Sequence, residues 1–141
     1  MTLPKIFLDH VAVAVKDLEL GIKIYSDLGL EFDDAREIVN DQGVITAFAP
    51  VDENAHLELL APIDDDGTIA GFIKKSGEGI HHLCFSVKDI VEISKDLTDK
   101  GYQLIYPQPV KGANNCLVNF IHPKSTGGVL IELLEKKGNK L

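Results

Sequence analysis

The sequence is poor in arginine and cysteine, and these shortages exclude several classes of protein. Arg36 is the only arginine among 14 basic residues, and the formal net charge is −8 at pH 7. Proteins that bind nucleic acid need clustered positive charge to contact phosphates, so we expect no nucleic-acid partner. The two cysteines, Cys84 and Cys116, form no CxxC motif. We interpret them as buried or half-buried thiols, which fits a reducing cytoplasm.

Long hydrophobic runs are also absent from the sequence. No apolar stretch approaches the roughly 20 residues that cross a membrane as a helix. The opening residues, MTLPKIFLDH, lack the basic start and the apolar stretch of a signal peptide. We therefore expect a cytoplasmic protein with no membrane partner. The chain has 141 residues, 45% of them hydrophobic, which is enough for one core, so we expect a single domain over residues 1–141.

An internal repeat is the clearest pattern in the sequence. Residues 10–17 (HVAVAVKD) and 82–89 (HLCFSVKD) share His, Val, Lys and Asp at an offset of 72. Gly29 and Gly101 keep this offset, and residues 56–60 (HLELL) resemble residues 130–134 (LIELL) at an offset of 74. Self-similarity of this kind indicates two copies of one structural unit.

Each copy predicts a strand, a helix and three further strands. In the first copy Asp17 is predicted as a helix N-cap and Gly29 as a helix end. The hydrophobic periodicity predicts a helix over 18–28 and strands over 6–15, 30–39, 43–49 and 55–61. The second copy predicts a helix over 89–100 and strands over 80–87, 102–106, 115–121 and 128–135. We therefore predict an α+β fold of two tandem βαβββ modules that form a mixed-sheet half-barrel. Module one spans about 5–62, a linker with one helix about 63–78, and module two about 79–136.

Small residues follow each histidine on its own face of the first strand in each copy. Side chains alternate between the two faces of a strand, so Ala12 and Ala14 share a face with His10, as Cys84 and Ser86 do with His82. The opposite faces carry larger apolar side chains, and we expect these to pack against the helices. The histidine faces then leave room for a ligand.

Two glutamates occupy equivalent positions in the last strand of each copy. Glu58 and Glu132 interrupt apolar runs, and a buried carboxylate needs a cation or several hydrogen-bond donors. Two neutral imidazoles and two carboxylates would suit zinc, cobalt, nickel or manganese, with positions left open for oxygen ligands. We therefore predict a metal site of His10, Glu58, His82 and Glu132. His56, on the same face as Glu58, is either a spare ligand, a proton shuttle or a polar surface residue.

Several stretches resemble a known family. They are DHVAVAV at 9–15, DQGV at 41–44, LELLAP at 57–62, GIHHLCFSV at 79–87, FIHPKS at 120–125 and GGVLIEL at 127–133. With them the chain resembles the glyoxalase, or vicinal oxygen chelate, superfamily, and more narrowly its methylmalonyl-CoA epimerases. The resemblance covers about residues 6–136. The two stretches between 120 and 133 are the most specific part of it.

The resemblance implies a reaction and a set of residues for it. His10, His82 and Glu132 would bind the metal, with Glu58 as a further ligand. The ion would be Co²⁺, with Mn²⁺, Ni²⁺ or Zn²⁺ as alternatives. The reaction would interconvert (R)- and (S)-methylmalonyl-CoA, a step of propionate metabolism, by proton abstraction at C2 through a metal-stabilised enolate. Glu132 and Glu58 are the catalytic residues that we expect. Some relatives have a catalytic glutamate at the position of Thr46, which cannot act as a general base, so the second base could be Glu58, His56 or a water molecule.

Substrate contacts and partners follow from the same resemblance. We expect an acyl-CoA substrate to contact His122, Lys124 and Ser125. His122 could equally be a polar surface residue. Lys111 and the loop 112–115 are further candidates for acyl or phosphate groups, and the alternative for these contacts is a solvated loop. By analogy with the family we expect a homodimer.

Three alternative functions remain open. A glyoxalase I (lactoylglutathione lyase) uses a similar set of two histidines and two glutamates. Its glutathione-binding members commonly carry an arginine where this chain has Ala14. A ferrous dioxygenase would use His10, His82 and Glu132 as a facial triad and would not need Glu58. A protein of this superfamily that only binds a small molecule typically lacks one or more of these ligands.

Overall fold

A computed structural model of the protein describes residues 6–112 and 115–136. Its strands are β1 (Ile6–Ala14), β2 (Glu37–Val39), β3 (Val44–Pro50), β4 (His56–Pro62), β5 (Gly79–Val87), β6 (Val110–Lys111), β7 (Leu117–Ile121) and β8 (Leu130–Glu135). Its helices are α1 (Leu18–Asp27), α2 (Thr68–Ser76) and α3 (Ile90–Asp99), with short 3-10 turns at Asn40–Gln42 and Pro123–Ser125. No helix in the described ranges is long and apolar enough to cross a membrane.

The chain divides into two compact units. The N-terminal unit is His10–His81, and the C-terminal unit combines Met1–Asp9 with His82–Leu141. Strands of the first are ordered β2-β3-β4-β1 and those of the second β6-β7-β8-β5. In each, the outer pairs are antiparallel and the last pair, β4 with β1 or β8 with β5, is parallel. The predicted α+β class and the repeated βαβββ order are confirmed.

Helices α1 and α3 have the same N-terminal cap and the same C-terminal ending. The side chains of Asp17 and Asp89 accept hydrogen bonds from backbone N–H groups at the start of α1 and of α3, as the N-cap prediction requires. Beyond each helix, Gly29 and Gly101 have φ of 110° and 97°. The residue after each glycine donates its N–H to a carbonyl five residues earlier, at 3.1 and 3.0 Å, which is a Schellman ending.

The N-terminal sheet has one face on α1 and another that we call the site face, because it carries His10 and Glu58. Val13 and Val15 pack with α1 on the first face, as predicted. On the site face, Ala12 and Ala14 are fully buried, and the apolar residues of α2 pack beside them. The small side chains therefore leave space near His10, but at the far end of the strand α2 fills that space.

The predicted strand over 30–39 is wrong for most of its length, since β2 covers only Glu37–Val39. The guanidinium of Arg36 donates hydrogen bonds to the backbone carbonyls of Asp33 and Asp34. This arrangement curls the segment upon itself. Carbonyls that are turned toward a local side chain are not available to a neighbouring strand, and the segment remains a loop.

The predicted strand over 102–106 is also wrong. Leu104 makes a single bridge to Ile121, flanked by hydrogen bonds from the N–H of Ile105 to the Phe120 carbonyl and from the N–H of His122 to the Gln103 carbonyl. At Tyr106 the side chain of Asn119 takes the place of a strand partner. This fully buried amide accepts a hydrogen bond from the N–H of Tyr106 and donates one to its carbonyl. A side chain thus satisfies backbone groups that would otherwise need a strand. The edge strand lies later, at Val110–Lys111.

Replacing Gly101 by alanine should destabilise the protein, because φ at this position is positive and a Cβ there meets no atom within 4 Å. The cost is therefore conformational, about 1–2 kcal/mol. Gly71→Ala, inside α2 with equally open space around a Cβ, is the matched control and should stabilise by about 0.5–1 kcal/mol. Urea unfolding of the two variants measures both effects. Equal shifts would contradict this account of the helix ending.

Candidate metal centre

In the N-terminal unit, strand register brings His10 close to Glu58. Strands β1 and β4 are parallel, with Ala12 opposite Glu58 and His10 one pleat earlier on the same face. The imidazole Nε2 lies 3.8 Å from a carboxylate oxygen of Glu58, and the two side chains are only 11% and 14% exposed. Because Ala12 has almost no side chain, the carboxylate can lean across it toward the imidazole.

The C-terminal unit repeats this arrangement. Strands β5 and β8 are parallel, with Cys84 opposite Glu132 and His82 one pleat earlier. Nε2 of His82 lies 3.2 Å from a carboxylate oxygen of Glu132, and the side chains are 11% and 15% exposed. Cys84 is fully buried and is a thiol, as is the half-buried Cys116. The register is therefore the same in both units.

Each pair has the chemistry and the spacing of two metal ligands. Imidazole nitrogen and carboxylate oxygen both bind divalent transition ions, at about 2.0–2.2 Å. Two such donors on one ion stand about 3.0–3.5 Å apart. The pair His82–Glu132, at 3.2 Å, falls within this range, and the pair His10–Glu58, at 3.8 Å, is within reach of it by a small side-chain rotation.

His56, the first residue of β4, is half-buried on the site face beside His10. It is opposite His10 in the register, and the two ring centres are 5.0 Å apart. Its other neighbour is Phe48, at 5.2 Å. The ring therefore holds the His10 imidazole from the side, a contact that the sequence alone did not predict.

The turn before β4 is held by a carboxylate. Asp52 accepts hydrogen bonds from the N–H groups of Asn54 and Ala55, at 2.8 and 2.7 Å. The pKa of Asp52 is lowered by these bonds, first by that from Ala55 and then by that from Asn54. The turn defines where β4 begins and so where His56 and Glu58 stand.

The three residues expected to contact substrate lie in the turn between β7 and β8. His122 caps the turn, because its Nδ1 accepts a hydrogen bond from the N–H of Lys124 at 3.0 Å. The hydroxyl oxygen of Ser125 accepts one from the N–H of Gln103 at 2.9 Å. Lys124 is exposed. Two of the three side chains thus have structural contacts in addition to any role in binding.

Comparisons with known proteins decide the family. Residues 9–120 match the Glyoxalase/Bleomycin resistance protein/Dioxygenase superfamily. The mitochondrial methylmalonyl-CoA epimerase of Dictyostelium discoideum is 41% identical over 132 residues, which cover 92% of this chain and 78% of that one. The chain belongs to the methylmalonyl-CoA epimerase family. It is therefore an enzyme of the isomerase class.

Solved structures of the family agree with this fold. The crystal structure of methylmalonyl-CoA epimerase from Mycobacterium tuberculosis has a TM-score of 0.80 at 42% identity, over 92% of this chain and 87% of that one. A methylmalonyl-CoA epimerase in complex with methylmalonyl-CoA and NH4+ has a TM-score of 0.81 at 31% identity, over 92% and 93%. The fold predicted from the family resemblance is confirmed.

Replacing Ser125 by alanine should lower the free energy of unfolding by about 1 kcal/mol, because the N–H of Gln103 loses its acceptor. Lys124→Ala, at the exposed neighbouring position, should change it by less than about 0.5 kcal/mol. Urea unfolding of the two variants measures the difference. An unchanged midpoint for Ser125→Ala would remove the structural role of this hydroxyl.

Proposed function

We propose that this enzyme interconverts (R)- and (S)-methylmalonyl-CoA. The proposal is supported by its membership of the epimerase family and by a solved relative that binds methylmalonyl-CoA. The observation that carries it is the repeated pair of a histidine and a glutamate, His10 with Glu58 and His82 with Glu132. A set of neutral imidazoles and carboxylates is suited to a cation that also binds the oxygens of a thioester and a carboxylate.

These four residues would hold one divalent cation, for which we propose Co²⁺, with Mn²⁺, Ni²⁺ or Zn²⁺ as alternatives. When bound, the ion supplies Lewis acidity that stabilises negative charge developing on the thioester oxygen. The imidazoles bind in their neutral form, and the two carboxylates balance the charge of the ion. Their burial excludes water and strengthens these interactions.

Epimerisation requires a proton to leave C2 and a proton to reach its opposite face. A carboxylate within hydrogen-bond reach of C2 can do each step. We propose Glu132 as one acid/base in addition to its role as a ligand. For the CoA part we propose contacts with Lys124, Ser125 and His122, of which Lys124 carries the charge that phosphate groups need. The homodimer, the cytoplasmic location and the place in propionate metabolism stay predictions.

The glyoxalase I alternative has less support. The position where glutathione-binding members commonly have an arginine is Ala14, which is fully buried and packs in the same apolar cluster as Ile69 of α2. An arginine there would have no room without displacing α2. The epimerase function therefore fits this chain better.

The proposed function predicts metal-dependent exchange of the C2 proton of methylmalonyl-CoA with D₂O. The measurement is loss of the C2–H signal by NMR, with Co²⁺-loaded protein, after chelation, and after Co²⁺ is restored. We expect exchange and epimerisation together, both lost on chelation and regained with the ion. Fully metallated protein without exchange would remove the epimerase function, and the hemithioacetal of methylglyoxal and glutathione would be the next substrate.

The proposed ligand set predicts the metal content of variants. His10→Ala and His82→Ala should each weaken Co²⁺ binding by more than the roughly 10–100-fold that loss of an outer-shell contact costs. His81→Ala is the matched control next to His82, since the His81 ring contacts Phe72 of α2, and it should keep the ion. Elemental analysis after dialysis against a Co²⁺ buffer gives the result independently of activity. Full metal content in both ligand variants would overturn the set.

A further inference from the structure

We propose that Glu37 is the second acid/base of the reaction. The inference rests on the proposed function, because epimerisation needs proton transfer at both faces of C2. Thr46 stands where some relatives have a catalytic glutamate. A threonine hydroxyl keeps its proton at neutral pH, so it cannot act as the general base that takes the C2 proton. Glu58 is proposed as a ligand, and its carboxylate lies beside the imidazole of His10. A further carboxylate on the site face would supply this second base.

Strand register places Glu37 on the site face. In the antiparallel pair β2–β3, Glu37 is directly opposite Thr46. In the pair β3–β4, Thr46 is opposite Leu60, and Phe48, one pleat along, is opposite Glu58. Residues directly opposite each other point to the same side of a sheet, as do residues two apart on one strand. The side chain of Glu37 is therefore on the same side as that of Glu58.

The packing of β2 confirms this orientation independently. Val39, two residues after Glu37, packs against the site-face cluster that contains Ala14, Val44 and Leu60. Ile38, on the other side of the strand, is 58% exposed. Alternation along the strand then assigns Glu37 to the side of Val39.

The position of Glu37 also suits proton transfer. It lies two strands and one pleat from Glu58, which corresponds to about 12 Å between Cα atoms. Glu37 is exposed, so its carboxyl can exchange protons with water. The hydroxyl of Thr46 lies 3.4 Å from the Glu37 carbonyl, which ties the two strands at this point.

The proton balance of this step is simple. The Glu37 carboxylate takes the C2 proton of one epimer, and the electron pair of the C–H bond stays on the substrate as an enolate. Glu132 adds a proton to the opposite face of C2, which gives the other epimer; Glu37 then releases its proton to water and Glu132 takes one up, so that both groups return to their starting state. In the reverse direction the proton of Glu37 returns to C2. No oxidant or further reactant is consumed.

The test follows C2–H exchange in D₂O for each epimer separately, with Co²⁺-loaded wild type and Glu37→Gln. Wild type should exchange both. The variant should exchange one epimer at the wild-type rate, while exchange of the other and net epimerisation both fall by about 100-fold or more. Glu31→Gln, another exposed carboxylate of the same unit, should behave as wild type. Metal content and circular dichroism show that the variant proteins are intact.

Two results would overturn the assignment of Glu37. One is unchanged exchange of both epimers in Glu37→Gln, and the other is an equal loss for both, which a general disturbance of the fold would cause. Glu37→Asp separates these further, because it keeps a shorter carboxylate and should retain part of the exchange that the glutamine variant loses. If wild type itself exchanges neither epimer, the proposed function fails as well, which is a distinct result.

Discussion

The register of two parallel strand pairs is the constraint on which the rest of the structure depends. In each unit the glutamate stands opposite the residue two positions after the histidine, so that the imidazole and the carboxylate meet on a diagonal. A slip of one residue would turn each glutamate to the helix side of its sheet. The packing of α1 and α3 against the opposite faces of the strands prevents that slip. A slip would also turn the apolar side chains that contact these helices away from them and into solvent. The two histidine–glutamate pairs are thus held in place by the apolar core.

The same arrangement has an energetic cost that a bound ion would offset. The four side chains of the two pairs are only 11–15% exposed, and carboxylates in such positions lose much of their hydration. The residues opposite the glutamates, Ala12 and Cys84, are fully buried and small, which makes room for the carboxylates but contributes little apolar area. These residues therefore contribute less to the free energy of unfolding than apolar residues would at the same positions, as is common at functional centres. The linker helix α2 compensates partly, because it covers the far end of the site face.

Much of the fold could be predicted from the sequence because the internal repeat shows the pattern of each element at two places in the chain. The caps at Asp17 and Asp89 and the helix endings at Gly29 and Gly101 depend only on neighbouring residues, and they were predicted correctly. The errors at 30–36 and 102–106 have one cause. Both segments alternate like strands, but side chains take some of their backbone hydrogen bonds. The Arg36 guanidinium bonds to the carbonyls of Asp33 and Asp34, and Asn119 bonds to the backbone of Tyr106. The hydrophobic periodicity of a sequence gives no information about hydrogen bonds between side chains and the backbone.

By itself, the sequence determined the α+β class, the two modules and the four candidate ligands, since each follows from alternation, capping residues and the repeat. Only the tertiary structure decided that His10 meets Glu58 and that His82 meets Glu132, because the distance between them depends on the pairing of strands that are remote in the chain. It also decided that α2 covers part of the site face and that β2 begins at Glu37. These features depend on which backbone groups remain free to pair after folding, and no local pattern in the chain carries that information.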